Sequence, residues 1–185
     1  MTGQIGHIIV ALSILYITCA QSLHGNDVDN SKDICVNSQQ CGIADGHGVV
    51  YFEDGGSYEG NFKNGVYHGW GRLRMPNGFT YEGDFESGMK SGAGRLVWPD
   101  GRIYKGEFRN DQLNGIGRLQ TPRGDNYLGM WKDGVQNGKG RYHWKGGKYY
   151  EGDFYDGKQH GWGRMVEIDG TVYEGQWRYG EKSSS

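Results

Sequence analysis

The sequence predicts an all-β fold of stacked β-hairpins, elongated because each repeated unit contacts mainly its neighbours. First, a common motif recurs every 23 residues and opens at Tyr58, Tyr81, Tyr104, Tyr127, Tyr150 and Tyr173. Second, the chain combines 35 glycines with 14% aromatic residues, which suits short aromatic strands joined by tight turns. Third, aromatic and polar residues alternate within each unit between turn dipeptides.

Charge and composition exclude several classes of protein. The net charge is −2, and acidic and basic residues are interspersed along the chain. Nucleic-acid binding would need a basic stripe, and strong electrostatic membrane binding would need a basic cluster. Collagen is excluded because the chain has only three prolines, and the aromatic content is too high for a disordered chain. We therefore expect no nucleic-acid partner.

The first 20 residues differ from the rest. Residues 8–20 (IIVALSILYITCA) are mostly apolar and carry no charge, but they are fewer than the roughly 20 needed to span a bilayer. This pattern predicts a cleaved signal peptide over residues 1–20 and a secreted protein, or one in the secretory pathway. The start carries no Lys or Arg, so other interpretations stay open: an uncleaved membrane anchor, a buried apolar segment, a lipoprotein site at Cys19, or a cytoplasmic protein.

Residues 21–45 are polar and aperiodic, which predicts a flexible arm. The arm contains Cys35 and Cys41, and in an oxidising compartment these two would close a small disulfide loop. The alternative is a pair of free thiols. Two cysteines are too few for structural zinc, which takes four ligands. We predict no metal and no cofactor.

Each unit opens with a predicted strand, YEGNF in the first unit. Strand alternation places Tyr, Gly and then Phe or Trp on one face, and mostly polar residues on the other. We call the large members of the first set the framework aromatics; they are Tyr58, Phe62, Tyr81, Phe85, Tyr104, Phe108, Tyr127, Trp131, Tyr150, Phe154, Tyr173 and Trp177.

A turn dipeptide, Asn64-Gly65 in the first unit, leads into a second strand, GWGRL. Its glycines would let a Tyr or Trp ring lie over the backbone, where a larger side chain would clash. The Arg of this strand and the Glu of the first would pair across strands, for about 0.2–1 kcal/mol each. The alternative is an arginine ladder that binds an anionic ligand. A Pro-Asn-Gly turn at residues 76–78 closes the unit.

Five full units lie between two fragments. Residues 46–57 form a partial capping unit, because their Gly-His-Gly matches the later Gly-x-Gly segment. The repeat domain spans residues 58–180 and ends in a partial unit that starts at Tyr173, and residues 181–185 form a tail.

These recurring residues, Y-E-G-x-[FW], a turn glycine, G-x-G-R and a closing D/N-G, resemble MORN repeats (membrane occupation and recognition nexus) over residues 46–180. Departures are mild: Lys105 and Leu128 replace Glu, and Asp111 replaces Gly. The resemblance implies a single-layer, meandering antiparallel sheet with one hairpin per repeat, curved into an open groove that the framework aromatics line. It also implies repeats that act as adaptors for protein partners or sit near membranes.

The repeat spreads equivalent residues apart, which argues against an enzyme. His68 and His160 share one position but lie four units apart, about 40 Å by strand spacing. Their side chains would not converge on one metal or substrate, as catalysis requires. We therefore expect no catalytic residues in this chain.

Positions that vary between units are the better functional signal. Trp70, Trp98, Trp144 and Trp162 occupy such positions and are candidate specificity residues for a partner; the alternative is packing against neighbouring turns. We predict a non-enzymatic scaffold that binds a protein partner along an aromatic-lined groove. Two alternatives remain: a module that binds phospholipid or a membrane surface, and an accessory subunit of an intracellular enzyme or cytoskeletal complex.

Overall fold

A computed structural model describes residues 43–183 of the chain. They form one open antiparallel sheet in which each strand pairs with its neighbours in chain order. The strands are β1 Gly46–Tyr51, β2 Ser57–Lys63, β3 Val66–Arg74, β4 Thr80–Glu86, β5 Met89–Val97, β6 Ile103–Arg109, β7 Gln112–Gln120, β8 Asn126–Lys132, β9 Val135–His143, β10 Tyr149–Tyr155, β11 Lys158–Val166, β12 Val172–Arg178 and β13 Glu181–Lys182. The predicted single-layer hairpin meander is confirmed.

Several predictions fall outside this part of the chain. The signal peptide over residues 1–20, most of the arm and the Cys35–Cys41 disulfide concern residues that the structure does not describe. Between residues 43 and 183, no helix is long and apolar enough to cross a membrane.

Within each full unit, a two-residue turn with left-handed backbone at both positions joins the seven-residue strand to the nine-residue strand that follows. Asn64 and Gly65 have φ angles of 52° and 75°, as in the type I′ turn that matches strand twist. Asp111 occupies the glycine position of its turn with a φ of 67°. Its carboxylate accepts the backbone N–H of Lys90 at 3.0 Å and pairs with the Lys90 ammonium group. These contacts help to hold Asp111 in the left-handed conformation, which Asp tolerates better than most residues do.

The turns between units use different chemistry. In the first, the N–H of Gly78 donates to the Met75 carbonyl at 3.0 Å, and the N–H of Met75 donates to the Phe79 carbonyl at 2.9 Å. The side chain of Asn77 accepts the N–H of Phe79, and Gly78 takes a φ of 89°. The predicted left-handed glycine is confirmed here.

One face of the sheet buries the core without a second layer. The ring of Tyr58 is fully buried and meets Phe62 and Phe85 edge-on at 5.1 and 5.3 Å between centroids. Its hydroxyl donates to the carbonyl of Asn61, three residues ahead. The same hydrogen bond, at 2.8–3.1 Å, recurs at Tyr81, Tyr104, Tyr127 and Tyr150. Each unit therefore satisfies its buried hydroxyl within its own strand.

Candidate functional site

The face opposite the aromatic core is open to solvent, and we call it the open face. Its middle row of side chains, which we call the ladder, runs across the strands in the order Glu59, Arg72, Glu82, Arg95, Lys105, Arg118, Leu128, Arg141, Glu151, Arg164 and Glu174. Strand alternation explains this row, because Glu and Arg project away from the Tyr and Gly of their own strands.

The predicted cross-strand pairing of Glu and Arg is confirmed at three places. Arg72 and Glu82 approach to 2.9 Å, as do Arg164 and Glu174. Arg141 and Glu151 form a longer contact of 3.8 Å. These side chains are about one-third to three-fifths exposed, so solvent limits each pair to roughly 0–1 kcal/mol. At these places the arginines are neutralised from within the sheet.

A second row beside the ladder carries the variable positions of the repeat. It contains Asn61, Trp70, Asp84, Ala93, Glu107, Ile116, Met130, Lys139, Asp153, Trp162 and Gln176. A local bulge shapes this row, since Gly60 pairs with Gly71 while Phe62 pairs with Tyr67. The bulge sets Asn61 against three residues of β3. Trp70, in the same row, has 48% of its surface exposed.

The structure separates the four candidate specificity tryptophans into two groups. Trp70 and Trp162 are about half exposed on the open face. Trp98 and Trp144 lie beside the turns between units and pack against the core. The Arg102 guanidinium lies 4.9 Å from the centre of the Trp98 ring, and Trp144 is covered in the same way by a lysine. The four rings do not form one surface.

The framework aromatics lie in the core. Eleven of the twelve are buried: Tyr58, Phe62, Tyr81, Phe85, Tyr104, Phe108, Tyr127, Trp131, Tyr150, Phe154 and Trp177. Tyr173 is only partly buried, because the strand beyond it covers β12 at two pairings only. Neighbouring residues of the sheet cover almost all of the surface of the eleven buried rings. A partner could therefore make almost no direct contact with them. The expectation that they line the groove is replaced by a structural role.

One depression on the open face lies between β8 and β12. It encloses about 800 Å³ and is bounded by Leu128, Arg141, Trp162, Arg164 and Glu174, among others. Its wall combines one exposed indole ring, one exposed aliphatic side chain and groups of both charges. Such a mixture can hold an amphipathic ligand, because apolar and charged contacts are available side by side.

The open face also carries an apolar cluster that was not predicted from the sequence. Ile116 pairs with Met130, and Leu128 lies beside them opposite Arg118. The three apolar side chains are 62%, 46% and 54% exposed. Leu128 was visible in the sequence as a departure from Glu, but its apolar neighbours could be recognised only from the strand register.

Titratable groups show where the sheet excludes water. Burial raises the pKa of Tyr67 to about 12. Burial, with a further contribution from Asp153, also raises the pKa of Tyr150 to about 12. On the open face, burial and the neighbouring Arg141 lower the pKa of His143, with Glu151 acting in the opposite direction. Among residues 43–183, no three His, Cys, Asp or Glu side chains are grouped to hold a metal ion.

Two solved structures from Drosophila melanogaster show limited similarity to this chain. One is the SAS-4 (dCPAP) TCP domain in complex with a proline-rich motif of Ana2 (dSTIL), at 14% identity and a TM-score of 0.46, covering 84% of this chain and 85% of that one. The other is the TCP10c domain of Sas-4, at 13% identity and a TM-score of 0.41, covering 68% and 76%. At these low scores neither structure carries a functional argument.

No curated protein matches the chain. The MORN-repeat family model matches seven consecutive segments, at residues 40–57, 58–80, 81–101, 104–126, 127–149, 150–172 and 173–184. These segments agree with the units marked by the recurring tyrosines, and the first begins six residues before the capping unit expected at residue 46. The ring-over-glycine core and the hairpin turns are thus those of one repeated motif, and the chain belongs to the MORN-repeat family.

Proposed function

We propose that the protein is a non-enzymatic scaffold that binds a segment of a partner protein along its open face. The observation that carries this proposal is the exposure of large apolar side chains there, with Trp70, Ile116, Met130 and Trp162 each 46–62% exposed. Exposed aromatic and aliphatic side chains beside charged ones are typical of protein-binding surfaces.

The dimensions of the sheet suit an extended or helical segment. At about 4.8 Å per strand, the sheet runs on the order of 55–60 Å along the row of strands. Every pair of neighbouring strands is hydrogen-bonded, so the platform is preorganised and less ordering entropy is lost on binding. The depression beside Trp162 offers one place where such a segment would be held.

Selection of peptides on the full chain tests this proposal. A phage library of random peptides is selected against the immobilised protein, and the binders are measured against the double variant Trp70→Ser/Trp162→Ser. We expect binding to fall at least about tenfold, as loss of central aromatic contacts commonly does. Ile168→Ser is the matched control, because Ile168 is 73% exposed but lies in a turn between units.

Two results would contradict the proposal. One is a library that yields no binder for the wild-type chain. The other is a set of binders that tolerate both this double variant and Ile116→Ser/Met130→Ser as well as they tolerate the control. Sedimentation with phosphatidylcholine–phosphatidylserine vesicles at low salt runs in parallel, and vesicle binding without peptide binding would replace the scaffold by a membrane-surface module.

We also propose that the chain is exported, on the evidence of its apolar leader. The test is the N-terminal sequence of the protein isolated from its native source. A start at Gln21 supports cleavage after Ala20, whereas a start at Met1 contradicts it. Mass spectrometry after alkylation without reduction then shows whether Cys35 and Cys41 form a disulfide.

A further inference from the structure

The ladder of alternating charges is interrupted at the middle of the sheet. Lys105 stands at a position that is Glu in four of the six units that open with Tyr. It lies between Arg95 on one neighbouring strand and Arg118 on the other. Three successive strands thus present cations in one row. Like charges directly opposite one another destabilise a sheet, and this row is therefore expected to favour an anion from outside.

The acidic side chains nearest to this row are engaged elsewhere. Glu82 forms its ion pair with Arg72, on the far side from Arg95. Glu107 accepts the backbone N–H of Ile116 at 3.2 Å, and Asp84 accepts that of Ala93 at 3.3 Å.

Within residues 43–183, none of the three cations of the row takes part in an ion pair. Lys105 and Arg118 are exposed, and Arg95 is half-buried. The positive charge of the row is therefore both unneutralised and reachable from solvent.

The apolar cluster adjoins the cations. Leu128, the second departure from Glu, pairs with Arg118, and Ile116 lies two residues from Arg118 on the same strand. Met130 completes the cluster opposite Ile116. The two departures therefore create one composite surface, the central break, which consists of Arg95, Lys105, Arg118, Ile116, Leu128 and Met130.

We propose that the central break docks an acidic amphipathic segment of a partner protein. Carboxylates of the segment pair with the three cations, and its apolar side chains cover Ile116, Leu128 and Met130. The inference deepens the proposed function and rests on it. It differs in assigning recognition to the middle of the sheet and in stating the charge of the partner.

Charge density favours a protein segment over a lipid surface. Recognition of anionic lipid by basic clusters typically involves about 4–8 Lys or Arg, whereas the break has three, flanked on the same face by Glu82, Asp84 and Glu107. A flat anionic membrane would meet those acids as well. A peptide segment can place its carboxylates on the cations alone.

The test restores the alternation of Glu and Arg along the ladder, and we call the result the repaired ladder. The variant Lys105→Glu/Leu128→Glu restores the most frequent residue of the repeat at both positions, so the fold is expected to tolerate it. The control Lys145→Glu/Ile168→Glu makes the same charge change at exposed turn residues. The phage library is selected separately on the full-length wild type, variant and control, and each pool is sequenced.

We expect the wild-type and control pools to be enriched in peptides that combine Asp or Glu with Leu, Ile or Phe. Wild-type binders should lose at least about tenfold in affinity on the repaired variant, and their affinity should fall as salt rises. Thermal melting of all three proteins checks that the variants are folded.

Four outcomes overturn the inference. One is a wild-type pool without acidic enrichment, and another is acidic binders that tolerate the repaired ladder. The third is binding of phosphatidylserine vesicles that the repaired ladder abolishes, without acidic peptide binders, which would assign the break to lipid. The fourth is a set of binders that depend on Trp70 and Trp162 but not on Lys105 and Leu128, which would contradict this inference and leave the proposed function intact.

Discussion

The ring of Tyr81 lies over the backbone of Gly94 on the neighbouring strand. A β-carbon built on Gly94 would lie 2.6 Å from both Cε2 and the phenolic oxygen of Tyr81, which is closer than a β-carbon approaches other atoms in real proteins. The same relationship holds between Tyr127 and Gly140. A single-layer sheet therefore gains a core because glycine columns let the rings lie flat against it.

A side chain at Gly94 should destabilise the sheet. We expect Gly94→Ala to lower the free energy of unfolding by about 1–3 kcal/mol, because the Tyr81 ring must shift to make room. Urea unfolding followed by tryptophan fluorescence measures the change. Ala93→Ser, at an exposed position on the opposite face, serves as the control and should stay within about 0.5 kcal/mol. Equal effects of the two changes would contradict the packing argument.

The buried tyrosine hydroxyls should contribute more than the one at the end of the sheet. The Tyr127 hydroxyl donates to the Met130 carbonyl at 2.9 Å, and losing this hydrogen bond in Tyr127→Phe should cost about 1 kcal/mol. The Tyr173 hydroxyl makes only an exposed 3.4 Å contact with the Ser183 carbonyl, so Tyr173→Phe should cost less. Denaturation midpoints compare the two variants, and a reversed order would refute the prediction.

Alkaline pH should unfold the protein through its tyrosines. Burial raises the pKa of Tyr150 to about 12, against about 10 in an unfolded chain. The folded state holds this proton more tightly, so its stabilising effect is complete below pH 10 and is lost between about pH 10 and 12.

Urea midpoints across that range, with tyrosinate absorbance, measure this loss. In Tyr150→Phe the stability should fall less steeply with pH than in the wild type. Tyrosinate absorbance that developed fully before the fold was lost would be inconsistent with burial.

Truncating a framework tryptophan should cost much more stability than truncating a surface tryptophan. Trp131 is 6% exposed, packs edge-on against Tyr127 and donates its indole N–H to the Gly117 carbonyl at 3.1 Å. We expect Trp131→Ala to cost about 3–5 kcal/mol. Trp162→Ala should cost less than about 1 kcal/mol, since that ring is 56% exposed. Thermal unfolding separates the two, and a large loss at Trp162 would show that it supports the fold.

Restoring Glu at a single position of the ladder should stabilise the sheet. In Leu128→Glu the new carboxylate lies opposite Arg118 and Arg141, which should add about 0.2–1 kcal/mol. High salt should reduce the gain. Leu128→Gln removes the exposed apolar group without adding charge, and a gain of the same size there would rule out the electrostatic explanation.

Local chemistry made much of this fold predictable. Tyr58 and Phe62 alternate with polar residues, which predicts a half-buried strand, and Asn64-Gly65 predicts the turn after it. Both patterns act within a few residues, where propensity and turn sterics decide the structure. The Glu–Arg pairing was also predictable, because one unit repeats in phase.

The sequence alone determined the period, the strands, the turns and the face that buries the rings, because these depend on neighbours along the chain. Only the tertiary structure decided which variable residues share a surface. It placed Trp70 and Trp162 in solvent but packed Trp98 and Trp144 beside the turns. It also brought the cations of β5, β6 and β7 into one row beside Leu128, because strand register and the bulge in each hairpin set neighbours between strands.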